Sequence, residues 1–326
     1  MTTSADIPGR RFQELERELS LATWLERRTF AANVYGAREL LGLKRDTVSV
    51  VLPARNVAAT IGAVVAVVVE LGELGLLDEV VVVDAASEDG TAEIAAARGA
   101  RVCQESELMP EHGPAKGKGD AMWRGLAATT GELVLFLDTD TEDFTPSFVL
   151  GLLGPMLTKP EVQFVKGSFR RPFRVGDVLV PDEGGRVTEL VARPLLNLFV
   201  PELAGFTQPL AGEIAARRSV LEAVSFPVGY GIEIAMLIDV LRLVGIDAMA
   251  QVDLGSRQNQ HQPLRDLSAM AYAVLVAASA RVHGRETIEA FAPGTLALPT
   301  VDGVDVRQIA LEERPALRAL RMRDRA

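Results

Sequence analysis

The sequence predicts an α/β fold, with a mostly parallel central sheet covered on both faces by helices and a more irregular second half. Short aliphatic runs, Thr47-Val-Ser-Val-Val-Leu52, Glu79-Val-Val-Val-Val83 and Glu132-Leu-Val-Leu-Phe-Leu137, alternate with segments of helical periodicity. Strands that are apolar throughout, rather than at every second residue, are those buried on both faces. Each run also ends on polar residues, namely Pro53-Ala-Arg-Asn56, Asp84 and Asp138-Thr139-Asp140. In open α/β sheets ligands bind beyond the carboxyl ends of the strands, and right-handed crossovers bring those ends to one rim. The three polar ends are therefore expected to share a cleft.

Residues Arg11 to Leu43 read as helical, with Phe12, Leu15, Leu19, Leu21, Trp24 and Leu25 at three- and four-residue steps among mixed charges. Such a helix packs on the core. Pro53 breaks the first strand, and an aliphatic helix of about fifteen residues starts at Ala58. Ser87-Glu-Asp-Gly-Thr91 caps a helix through Ala97, and Ala100 to Cys103 is a short strand. A loop with Pro110, Gly113 and Pro114 leads to a helix over Lys118 to Thr129.

Beyond the two aspartates, Val162 to Phe169 reads as a strand, and Asp182-Glu-Gly-Gly-Arg-Val-Thr188 as a glycine-bearing loop before a helix from Glu189 to Phe199. Gln208-Pro-Leu-Ala-Gly-Glu213 and Gly229-Tyr-Gly-Ile-Glu233 each read as the opening of a helix. Ala248 to Leu254 runs into the polar loop Gly255 to Pro263. Pro315 to Arg323 is helical, with the proline at a favoured first position. The organisation is a helical segment over 1–46, a regular half over 47–160, an irregular half over 161–284 and a tail over 285–326.

With 326 residues, 48% of them hydrophobic, the chain can bury a large core. A net charge of −10 argues against a general nucleic-acid binder, which needs clustered positive charge. A single cysteine, Cys103, excludes an internal disulfide and fits a reducing cytoplasm. The aliphatic run Ala63 to Val69 is too short to span a bilayer, and the first residues lack the apolar core of a signal peptide. No membrane partner is expected.

Two carboxylates one residue apart at the end of an apolar strand suit a hard divalent cation and the phosphates it binds. Taken alone, Asp138-Thr139-Asp140 reads more readily as a solvated turn or helix cap. Lys118 opens a helix, a place the helix dipole disfavours for a cation, which marks it as functional. Lys166, Arg170 and Arg171 read more readily as a solvated face than as a site for acceptor charge.

Pro53-Ala-Arg-Asn56, Val80-Val-Val-Val-Asp84, Gly117-Lys-Gly119 with Trp123, and Leu135-Phe-Leu-Asp-Thr-Asp140 together resemble the nucleotide-diphosphosugar transferases of the GT-A (Rossmann-like) fold. Gly184-Gly-Arg-Val-Thr188, Gln208-Pro-Leu-Ala-Gly212, Gly229-Tyr-Gly-Ile-Glu233 and Val252-Asp-Leu-Gly255 resemble one branch, the retaining glucosyl- and mannosyl-3-phosphoglycerate synthases. The likeness runs from about residue 12 to residue 285.

This resemblance implies a nucleotide-sugar donor, 3-phosphoglycerate as acceptor, Mg²⁺ or a similar ion such as Mn²⁺ or Co²⁺, and a homodimer with the tail at its interface. It places the donor in the half over 47–160 and the acceptor in the half over 161–284. Pro53, Ala54, Arg55, Asn56 and Asp84 would surround the base and ribose. Lys118 would face the phosphates, with Asp138, Thr139, Leu210 and Ala211 completing the donor site. Gly185, Arg186, Val187, Thr188 and Arg257 would receive the acceptor. Asp140, Lys118 and Glu233 would be the catalytic residues, with Asp140, Asp138 and His261 at the metal. Related enzymes carry their metal-binding histidine where this chain has Asn259, and an asparagine where it has His261. A ligand and an exposed loop residue both remain open for His261. GDP-mannose is favoured as donor, with glucose also accepted.

Rival readings are a sugar-1-phosphate nucleotidylyltransferase and a non-catalytic nucleotide-sugar-binding protein. Pro53-Ala-Arg-Asn56 lacks the glycine-rich basic loop of the first, and intact Asp138, Asp140 and Lys118 disfavour the second.

Overall fold

The computed structural model describes residues 7–170, 173–175, 178–180, 185–257 and 263–323. Strands β1 (Thr29–Ala31), β2 (Val48–Ala54), β3 (Glu79–Asp84), β4 (Arg101–Gln104), β5 (Leu133–Phe136), β6 (Phe164–Arg170), β7 (Ile214–Arg217) and β8 (Met249–Ser256) form one sheet, ordered β1-β8-β6-β7-β5-β2-β3-β4. All neighbours are parallel except β7, which is antiparallel to both β5 and β6.

The aliphatic runs are continuous because both faces are covered. Val51, Val134 and Phe136 point into a core with Trp123, Leu126, Phe226 and Ile234. Val50, Leu52, Leu133 and Leu135 point the other way, against Ile61, Val64, Val68, Phe148 and Leu152. Alternation along the strand thus feeds two cores. Cys103 is free and packs, partly buried, against the first.

The structure departs from the expected elements in three places. The helical stretch over 11–43 is split into helices Ile7–Arg28 and Ala37–Leu43, because Thr29–Ala31 leaves the helix to pair with Gln251–Asp253 at the edge of β8. Pro53 does not end β2, which continues to Ala54 beside β3. The ladder to β5 stops at the Val51–Phe136 pair, so the missing N–H of Pro53 costs no bond on that side. Gln208 to Glu213 opens no helix. It is a turn, closed by the Ala211 N–H on the Gln208 carbonyl at 3.0 Å, and it leads into β7. Pairing on both sides of β7 overrides the low strand propensity of its alanines.

The tail folds back on the chain. It contains the hairpin Thr295–Thr300 with Gly303–Gln308, a strand Glu313–Arg314 paired with Phe226–Pro227, and the helix Leu317–Arg323. Among the described residues no helix is long and apolar enough to cross a membrane.

Candidate active site

The carboxyl ends of β2, β3 and β5 meet on one rim and are bonded together there. Thr139 donates its hydroxyl to the Pro53 carbonyl at 2.7 Å, and Thr60 donates to the Thr139 carbonyl at 2.6 Å. Asn56, at φ +52°, donates its N–H to Ser87 Oγ at 2.9 Å, and its Oδ1 accepts from the Glu88 N–H at 3.0 Å. Asn tolerates this left-handed conformation better than most residues. Asp84 is buried behind this junction. Its Oδ2 accepts from the Ser87 N–H and from Gln104 Nε2, both at 3.1 Å, while Oδ1 has no protein partner.

Because β7 runs antiparallel, it reaches the same rim with the residues that precede it. Ala211, Gly212 and Glu213 therefore stand beside Asp138. Gly212 is required by close approach, since a Cβ there would lie 2.2 Å from Asp138 Oδ1 and 2.5 Å from Lys118 Nζ. Lys118 follows Gly117, whose φ of +99° turns the chain into the helix Lys118–Ala127.

Charges at the rim are paired in a chain. Lys118 Nζ lies 2.6 Å from Asp138 Oδ1 and 2.8 Å from Glu233 Oε1. Arg257, directly after β8, lies 3.1 Å from Asp138 Oδ2 and 2.6 Å from Asp140 Oδ1, and it also binds Glu213. Burial alone would lower the Lys118 pKa, but the carboxylates of Asp138 and Glu233 override it and hold the amine protonated well above its usual range. Burial would likewise raise Asp138, and the cations Lys118 and Arg257 instead hold it far below the ordinary carboxylate range. Burial pushes Glu213 up, opposed by Arg257.

One cleft of about 1340 Å³ is lined by Pro53, Ala54, Arg55, Asn56, Lys118, Asp138, Thr139, Asp140, Gly185, Arg186, Val187, Thr188, Leu210, Glu233 and Arg257. Most of the expected donor and acceptor residues thus face the same space. Ala211 is buried rather than lining, and Asp84 backs the wall formed by Ala85 and Ala86. Asn259 and His261 lie outside the described residues, as do Arg171 and 181–184.

One reading of a cation changes. Lys166 is no solvated face: it is fully buried and donates to the Ala211 carbonyl at 2.7 Å, and burial pushes its pKa down to about 8. Arg257, expected at the acceptor, lines the cleft and also braces Asp138, Asp140 and Glu213. Glu213 and Gln104 carry no functional signal in the sequence, and Lys166 carries one only as a surface charge. Glu213 depends on the direction of β7, and Lys166 and Gln104 act on groups distant in the chain.

A glucosyl-3-phosphoglycerate synthase of Mycolicibacterium smegmatis is 44% identical over 281 residues, covering 85% of this chain and 91% of the relative. The chain belongs to the glucosyl- and mannosyl-3-phosphoglycerate synthase family. Within it, residues 49–206 also match the profile of glycosyl transferase family 2. The solved mannosyl-3-phosphoglycerate synthase of Rubrobacter xylanophilus, a structural neighbour in this family, superposes with a TM-score of 0.82 at 46% identity, covering 92% of this chain and 99% of that one. The glucosyl-3-phosphoglycerate synthase of Mycobacterium tuberculosis in complex with Mn²⁺, uridine diphosphate and glucosyl-3-phosphoglycerate gives 0.77 at 40% identity, covering 88% and 96%. The GT-A fold implied by the resemblance is the family's fold, and this chain has it.

Proposed function

We propose that this protein transfers a hexose, with retention at the sugar carbon, from a nucleotide-diphosphate sugar to 3-phosphoglycerate. The reading is carried by one observation: a cleft that holds a locked cation, Lys118, between Asp138 and Glu233 and is continuous with Gly185 to Thr188.

Asp140 and Asp138 supply the carboxylate oxygens that a hard divalent ion takes, and the Asp140 side chain is 57% exposed. Among the described residues no three side chains of ligand type gather around one point, and the position where Asp138, Asp140 and Glu213 meet is filled by the Arg257 guanidinium. Structures of the M. tuberculosis relative hold Mn²⁺ or Mg²⁺ with uridine diphosphate. Asp140, supported by Asp138, would hold the ion, which supplies positive charge to the leaving diphosphate.

Lys118 is fixed by two carboxylates and stays protonated, so it stabilises negative charge on the donor phosphates without giving up a proton. Glu233 is tied to Lys118 and Glu213 to Arg257, so neither carboxylate stands as a nucleophile. This favours same-face substitution, with the leaving phosphate taking the acceptor proton. Trapping a glycosyl ester on the enzyme would overturn it. Lys166 holds the Ala211 carbonyl and thereby the backbone of Leu210 and Ala211 beside the sugar. Gly185 to Thr188, with Arg186, would take the acceptor's anionic groups.

For the donor, the curated relatives' names weigh towards glucose, and UDP-glucose is the sugar nucleotide in complexes of the M. tuberculosis relative. The R. xylanophilus neighbour is a mannosyl-3-phosphoglycerate synthase, so mannose, with the GDP-linked donor favoured in the sequence analysis, is tested beside glucose. The test is turnover of UDP- and GDP-linked glucose and mannose with 3-phosphoglycerate and Mg²⁺. Absence of product from every pairing would reject the proposal, and release of pyrophosphate would point to a nucleotidylyltransferase. We also read the chain as a homodimer with the tail at its interface, where Phe291, Val304 and Val306 are exposed. Light scattering that gives a monomer mass would remove that reading.

A further inference from the structure

The segment 105–117, between β4 and the helix Lys118–Ala127, contains only two single turns of 3-10 helix, Glu105–Glu107 and Pro110–His112. It nevertheless forms a wall of the cleft through Glu105, Ser106, Ala115 and Lys116, and it delivers Lys118. Its carbonyls are gathered by two guanidinium groups. Arg124, wholly buried, donates to the carbonyls of Leu108, Met109 (3.2 Å) and Gly113 (2.7 Å). Arg314, from the tail, donates to the carbonyls of His112 and Pro114 (2.9 Å).

Between the two guanidinium groups lies Asp120, also wholly buried. Its Oδ1 accepts from Arg124 Nε at 3.0 Å and Arg314 Nε at 2.8 Å. Its Oδ2 accepts from Arg314 Nη2 at 2.6 Å and from the Lys116 N–H at 3.0 Å. The tail is held there by neighbouring contacts: Lys116 Nζ to Glu312 at 2.6 Å, Trp123 Nε1 to the Pro315 carbonyl at 2.8 Å, and Arg314 over the Trp123 ring at 5.8 Å. A planar fork can serve a carboxylate and two carbonyls together, whereas an ammonium group on the same stem cannot reproduce that geometry.

We infer that Arg314 is a positioning residue for the donor-phosphate loop, fixing residues 112–116 on Asp120 and so setting the place of Lys118. The inference rests on the proposed function for the role of Lys118. Merely fastening the tail would lower the folded fraction and hence kcat, without altering donor affinity.

The test compares Arg314→Lys and Arg314→Gln with Arg281→Lys, which loosens the same tail at Glu313 through an arginine also paired with Asp239 of the helix Ile232–Val244. Donor KM and the Kd for UDP or GDP should rise about tenfold in both Arg314 variants, as loss of charge-assisted bonds predicts, with acceptor KM unchanged. Amide exchange over 105–117 should accelerate in the same variants. Arg281→Lys should leave nucleotide Kd and this exchange unchanged. A folded Arg314→Lys protein with wild-type nucleotide Kd and wild-type protection would overturn the inference, as would equal effects in Arg281→Lys. If the wild-type chain transferred no sugar, the proposed function would fall, but exchange and nucleotide binding would still decide the role of Arg314.

Discussion

Arg257 Nη2 lies 2.6 Å from Asp140 Oδ1, so this exposed carboxylate of the cleft already has a cation beside it. A divalent ion taking up Asp140 must share that carboxylate with the guanidinium. Metal alone is therefore expected to bind weakly, and a nucleoside diphosphate, which adds negatively charged oxygen donors, should tighten it about tenfold or more. Calorimetric titration of Mn²⁺ with and without UDP or GDP measures this. Equal affinities would show that Arg257 and the ion do not compete.

Asp140→Ala should abolish metal-dependent turnover while leaving the unfolding midpoint nearly unchanged, because the side chain is largely exposed. Arg186→Ala, on the side of the cleft proposed for the acceptor, should mainly raise the KM for 3-phosphoglycerate. Steady-state kinetics with both substrates varied separates the two. An unchanged acceptor KM would take Arg186 out of the site.

Gly212→Ala is a steric test of the Asp138–Lys118 pair. Its methyl would stand 2.2 Å from Asp138 Oδ1 and 2.5 Å from Lys118 Nζ, so both charged groups must move. Displacing catalytic groups by about 1 Å can cost about 100-fold in rate, and a loss of that order in kcat/KM is expected. Circular dichroism should show the fold retained. Wild-type kinetics in this variant would mean that the pair is not held in its working position.

Glu105 gives a pH dependence of stability. Burial, reinforced by the nearby Asp120 charge and opposed by Arg124, raises its pKa from 4.5 to about 7. Between those values the folded chain keeps a proton that the unfolded chain has lost. The stabilising effect is thus complete below pH 4.5, fades as pH rises to about 7, and is absent above. Glu105→Gln, uncharged throughout, should match the parent near pH 4.5 and melt higher than the parent at pH 8. Parallel melting curves against pH would contradict this.

The first half of the fold was legible because its strands and helices alternate by local rules. Val48 to Leu52, Glu79 to Val83 and Leu133 to Phe136 are apolar runs bounded by turn residues, and their ends fixed the rim. The second half was less so. Ile214 to Arg217 is alanine-rich and looks nothing like an isolated strand. Its slot between β5 and β6 is a tertiary fact, and with it went the placement of Glu213. Arg257 could be assigned to the cleft by resemblance, but its three carboxylate partners lie 44 to 119 residues away in the chain. Pro53 misled because a proline ends a strand only when its N–H is needed, and that depends on the length of β5.

Asp120 is synthesised 194 residues ahead of Arg314. At about 5 to 20 residues per second, that gap corresponds to about 10 to 40 s on the ribosome. Throughout that interval the carboxylate has Arg124 but not its second guanidinium, and the His112 and Pro114 carbonyls are still exposed to water. The sheet closes with Ser256, still 58 residues ahead of Arg314, so the nascent chain completes it before the loop gains its second clamp. If Arg314 acts as inferred, tight donor binding is a late event in the life of each molecule, timed by the arrival of one arginine.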